Sequence, residues 1–142
     1  MIPILLPFKQ VGDFLIGSPI VQYLSSYQFD VADMNNDDVA PSINYSIPNP
    51  SITLFVSDNR IDFIGCYEEL LYHGVNLIGI SIAHFSVLVG QDYVEEDKLD
   101  FEEGKVPQYV YEYPHIGLQV WARGKLGLVI SIMVNGDEHY LD

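Results

Sequence analysis

The sequence predicts an α+β fold: a tandem repeat of helix plus three-stranded antiparallel sheet, forming one continuous antiparallel sheet with helices on one face. Three observations predict it. The chain has 142 residues, 49% of them hydrophobic, enough for one domain with a sizeable core. Segments of the first half recur in the same order in the second. Most of these segments alternate apolar and polar residues in the strand period, and one in each half has a helical period. The expected unit is a single domain, 1–142, built of two repeats at about 10–68 and 72–135.

The run Ile2–Phe8 is apolar but contains Pro3 and Pro7, which suits a lead-in strand at a sheet edge. It has no basic residues before it and no small-residue cleavage site after it, so it does not read as a secretory signal. No stretch approaches the length of a membrane span. Next, Phe14–Tyr23 resembles Asn76–Phe85, each with an Ile-Gly pair leading into a helical segment. Gly17 and Gly79 supply the tight turns. Ser18 and Pro19 suit an N-cap and a first helical position, and Gly90 is placed to stop the second helix.

Three strand segments follow in each half. Asn44–Ile47 matches Gln108–Tyr111, Pro50–Val56 matches Pro114–Val120, and Arg60–Ile64 matches Lys125–Val129. Asp58-Asn59 and Arg123-Gly124 are the turn signals between the last two. Ile52, Leu54 and Val56 share one face of their strand, as Ile116, Leu118 and Val120 do in theirs, for burial under a helix. The other face is then open. Cys66–Gly74 reads as the crossing between units. Cys66 is the single cysteine, so no internal disulfide forms; its flanks are apolar and hold no activating base. This usage suits a reducing, cytoplasmic location.

Charge bounds the function. With 20 Asp plus Glu against 6 Lys plus Arg the net charge is −14, which repels nucleic acid and anionic membrane and favours a basic protein partner. The acids form two groups, Asp30, Asp33, Asp37 and Asp38, then Asp92, Glu95, Glu96, Asp97, Asp100, Glu102 and Glu103. Both are expected as loops between helix and first strand, at equivalent places in the two copies. Charge runs are usually solvated surface, and that reading stands beside partner contact.

Catalytic and metal signals are weak. Asp33–Asp38 begins like a calcium loop but carries Asp38 at the sharp-turn glycine and Asn44 where a bidentate Glu is needed. His73, His84, His115 and His139 lack ligand-like spacing, there is no phosphate-binding glycine loop, and no nucleophile–base–acid set stands out. The expectation is therefore a binding protein with no cofactor and no metal, and not an enzyme. His84, beside Phe85, is expected to be partly buried. Tyr109, Tyr111 and Tyr113 share a strand face and are expected beneath the helix. Trp121 is expected outward, with Glu112 and Gln119 on its side.

The tandem Ile-Gly, helix, three-strand pattern resembles the β-lactamase-inhibitor-like architecture shared with small outer-membrane assembly lipoproteins. Tyr72–Gly79 and Val110–Trp121 also resemble immunity proteins of bacterial polymorphic toxins of the contact-dependent inhibition type. The chain departs from the lipoprotein pattern in having no lipidated cysteine near its start. The resemblance implies protein binding, often inhibition of a toxin or enzyme. The expected function is an immunity or inhibitor protein that covers the active site of a cognate basic toxin domain, a nuclease by the logic of phosphate binding. The expected contact residues are Asp33, Asp37, Asp38, Asp92, Glu95, Glu96, Asp97, Glu102, Glu103, Glu112, Gln119 and Trp121. The alternatives are a small-molecule-binding or enzymatic module on the open face, and a structural protein that dimerises through an edge strand.

Overall fold

The computed structural model describes residues 1–33, 42–100 and 104–137. In chain order the strands are β1 (Leu5–Leu6), β2 (Gln10–Val11), β3 (Phe14–Leu15), β4 (Asp30–Asp33), β5 (Ile43–Pro48), β6 (Ser51–Ser57) and β7 (Arg60–Cys66). They continue with β8 (Leu71–Tyr72), β9 (Val75–Asn76), β10 (Glu95–Leu99), β11 (Gln108–Tyr113), β12 (Leu118–Arg123) and β13 (Leu128–Asn135). A 3₁₀ turn spans Ile20–Tyr23, and α1 spans Ile82–Val89.

The main sheet has eight strands in the order β10-β11-β12-β13-β7-β6-β5-β4, every pair antiparallel. It is joined by a three-stranded sheet, β1-β2-β3, and the hairpin β8-β9. The fold is therefore mostly β, and the expected tandem of helix plus three strands is corrected in two respects. Each half of the main sheet is a meander of four strands, because part of each acidic run pairs as a strand, β4 and β10, rather than looping. Their partners β5 and β11 are rich in Tyr and Ile or Val, and pairing with them overrides a weak local preference. Among the described residues there is one α-helix only.

The missing helix has a local cause. Ser81 accepts a hydrogen bond from the His84 N–H (3.2 Å), and Gly90 closes α1 in the left-handed conformation at φ 71°. Ser18 instead turns its hydroxyl to Tyr23 Oη (2.8 Å) and the Leu15 carbonyl, so no side chain caps the segment after Pro19. Its continuation, Leu24-Ser25-Ser26, is exposed and does not extend the turn. The entry to each segment is nonetheless alike: the Gly17 N–H donates to Ile61 O (2.7 Å) and the Gly79 N–H to Val129 O (2.8 Å).

Other expectations shift by register. The last strand of the second half begins at Leu128 rather than Lys125, because Gly124–Gly127 make the turn, with the Gly127 N–H on Gly124 O (3.0 Å). The N-terminal lead-in strand does lie at a sheet edge, as β1 of the small β1-β2-β3 sheet. His84 is exposed on α1.

The core follows from the pleat. Leu54, Ile64, Val134, Leu118 and Tyr113 are successive register partners across five strands, and each is wholly buried. Ile52, Cys66, Ile132, Val120 and Tyr111 form the next row on the same face. Ile82, Phe85 and Val89 of α1 cover this face from the β11 side, where Phe85 meets Tyr113 at 4.8 Å between ring centroids and Ser86 Oγ bonds Tyr113 Oη (2.8 Å). At the other end, Phe14 packs on Tyr23, Tyr27 and Phe29, and Phe29 packs on Tyr45 of β5. Among the described residues the opposite face of the sheet carries no helix.

Candidate functional site: the uncovered face and its cleft

The same register that buries one row exposes the next. Asp30, Ser46, Thr53, Gly65, Met133, Gln119, Glu112 and Glu95 are successive partners across all eight strands on the uncovered face. Its polar members bond along the row: Ser46 Oγ to Thr53 Oγ1 (2.8 Å), and Gln119 Nε2–H to Glu112 Oε1 (2.7 Å). In the neighbouring row Trp121 lies between Val110 and Ser131. Its indole N–H donates to Gln119 Oε1 (3.1 Å). Trp121, Gln119 and Glu112 are thus a hydrogen-bonded series running toward an acidic edge, each half-buried. Phe55 and Phe63 stack at 4.3 Å on the same face.

The expected contact residues divide. Glu95, Asp97, Glu112, Gln119 and Trp121 come together on the uncovered face near β10. Glu96 points to the other side, beside Tyr111, where Lys125 approaches its Oε1 at 3.8 Å. Burial, with Glu96 near its hydroxyl, pushes the Tyr111 phenol up. Asp92 is exposed ahead of β10 and accepts from the Tyr93 N–H (3.0 Å). Asp33 ends β4, on the helix-bearing side of the opposite edge. Seven strand spacings of ~4.8 Å separate β4 from β10, roughly 33 Å, so the two acidic groups do not share one edge. Asp37, Asp38, Glu102 and Glu103 lie outside the described residues.

The uncovered face is acidic toward both edges. Asp30, Glu95, Asp97 and Glu112 occupy it, while Arg123 at the end of β12 is a cation on that face. Lys98 falls on the helix-bearing side, where it pairs with Asp100 (3.6 Å). Tyr111 and Tyr113 are buried beneath α1 and its neighbours, and Tyr109 is partly so.

One concavity opens where β7 meets β13. Its volume is about 840 Å³, and its walls include Phe8, Asp62, Phe63, Gln119, Asn135 and Asp137. Sequence reading missed most of it. Asp62 is the extra residue of a β-bulge: Phe55 pairs Phe63 while Val56 pairs Ile61, leaving Asp62 unpaired in the ladder. A bulge leaves no mark in an alternating sequence. Phe8 adopts φ 67°, rare for a bulky residue, and its ring lies where a side chain on Gly117 would be. That contact, 2.7 Å from an ideal Cβ, explains why a glycine opens β12's approach.

Among the described residues no group of three His, Cys, Asp or Glu side chains converges as a metal site, and no helix is long and apolar enough to cross a membrane. Comparison with family models, with curated proteins and with solved structures finds no match to this chain.

Proposed function

We propose that this chain is an immunity or inhibitor protein that binds a basic toxin domain, a nuclease, through the uncovered face of its sheet. The observation that carries the reading is the Trp121–Gln119–Glu112 series, an aromatic anchor linked through the Gln119 amide to a carboxylate beside the exposed Glu95 and Asp97. Tryptophan buries a large area at small rotamer cost, and half-buried carboxylates pair with the Arg and Lys side chains that nucleases use on phosphate. The net charge of −14 steers a cationic partner, toward ~10⁸–10⁹ M⁻¹s⁻¹ at low salt in favourable cases.

The test is co-purification with the product of the gene immediately upstream, which the proposal expects to carry a basic C-terminal toxin domain, followed by titration at low and high salt. Tight binding that weakens with salt, and falls at least tenfold in a Trp121→Ala, Glu95→Lys double variant, supports the reading. Absence of binding, or binding indifferent to both salt and the double variant, overturns it. The rival reading as a small-molecule or enzymatic module draws on the 840 Å³ cleft. It requires saturable binding of a metabolite there.

A further inference from the structure

We infer that the cleft between β7 and β13 receives an arginine side chain of the partner. The inference rests on the proposed basic partner and names what part of it enters. The bulged Asp62 of β7 and Asp137, two residues past the end of β13, both line the cleft. Two carboxylates therefore belong to the wall of one concave site. Neither has an ion pair or side-chain hydrogen bond among the described residues. Arg60 stands at the rim, donating to the carbonyl of the lining residue Gly17 (2.8 Å).

The walls select the shape of the cation. Phe63, held by stacking on Phe55, and Phe8 supply aromatic surface, while Gln119 and Asn135 add amides. A guanidinium is planar, weakly hydrated and stacks on rings while its N–H fork meets carboxylates. A compact ammonium also meets the carboxylates and ring faces, but it is more strongly hydrated and cannot stack as a plane. At about 840 Å³ the cleft exceeds one side chain and admits the flanking peptide as well. Gln119 lines it and also accepts from Trp121, so the arginine site is continuous with the proposed anchor.

The experiment uses the full chain, ¹⁵N-labelled, titrated with N-acetyl-arginine-N-methylamide and, in parallel, with the lysine and norleucine analogues. Expected are saturable shifts at the amides of Asp62, Phe63, Gln119, Asn135 and Asp137, with a Kd on the order of 1 mM for arginine. The lysine analogue should bind more weakly, and norleucine should leave those amides unmoved. Asp62→Asn and Asp137→Asn, checked for unchanged spectra elsewhere, should each raise the Kd about threefold. Shifts that are absent, spread over all acidic segments, equal for norleucine or unaffected by both variants overturn the inference. The basic domain separates the two readings. If it binds and the arginine analogue does not compete, the cleft assignment alone fails; if the analogue binds the cleft and no basic domain binds, the proposed function alone fails.

Discussion

Glu95 of β10 stands directly opposite Glu112 of β11, on the uncovered face of the sheet. Like charges so placed repel by a few tenths to about 1 kcal/mol. Replacement of Glu95 by Gln should therefore raise the stability of the protein by about 0.5 kcal/mol at low salt, with the gain shrinking as salt screens the pair. Urea unfolding of both proteins at low and high salt checks it. If the proposed function holds, the same substitution weakens partner binding, so stability and affinity move in opposite directions.

Gln119 sits between Trp121 and Glu112 and bonds both. Its replacement by Ala should cost about 1 kcal/mol, most of it from the bond to the carboxylate. A double-mutant cycle with Glu112→Gln should give a coupling of about 0.5 kcal/mol or more. Trp121 is the single tryptophan, so its fluorescence should also shift when the indole N–H loses its partner.

Gly127, in the turn before β13, and Gly65, in β7, differ in what surrounds them. A Cβ on Gly127 would lie 1.9 Å from the Arg123 carbonyl oxygen, which is backbone and cannot withdraw. One on Gly65 would lie 2.6 Å from Tyr67 Oη, the far end of an exposed side chain, with Met133 and Phe55 each at 3.1 Å. Gly127→Ala should destabilise by about 2 kcal/mol or more, Gly65→Ala by about 1 kcal/mol or less. Thermal or denaturant melts rank them.

The protein should lose stability in alkali. Burial pushes the Cys66 thiol up to about 12 from 9.0, and burial chiefly takes the Tyr113 phenol to about 12 from 10.0. Between those ordinary values and pH 12 the unfolded chain has shed protons that the folded chain retains, so stability falls as pH rises. Below pH about 9 these groups leave stability unchanged. Replacing Cys66 with Val should make the alkaline decline shallower, as read from denaturant midpoints across that range.

The strand pattern was legible wherever one face is buried. Ile52, Leu54 and Val56 alternate cleanly in β6 and Leu118 and Val120 in β12, whereas Ile116, expected on the same strand face, falls in the turn before β12. The left-handed pair Asp58 and Asn59, at φ 52° and 63°, turns the β6–β7 hairpin where that dipeptide signals it. The edges were not legible. Glu95–Leu99 has a poor strand composition, and its pairing energy comes from β11, which no local window contains. The helix assigned after Pro19 failed because Ser18 can cap a helix or bond a neighbouring hydroxyl, and only the fold decides which. For the candidate site, the placement of Glu112, Gln119 and Trp121 on one face was readable from period two alone. The cleft was not, since it depends on a bulge at Asp62 and on the return of Phe8 from a distant segment.

The acidic edge strands have a consequence for the company this protein keeps. Whichever edges of two copies meet, β4 with its Asp30 and Asp33 or β10 with Glu95, Glu96 and Asp97, negative charge meets negative charge. Sheet growth by strand addition is disfavoured between identical molecules and left open to a strand bearing lysine or arginine. Strand addition between identical copies thus carries a charge penalty along either margin that a strand of opposite sign would not meet.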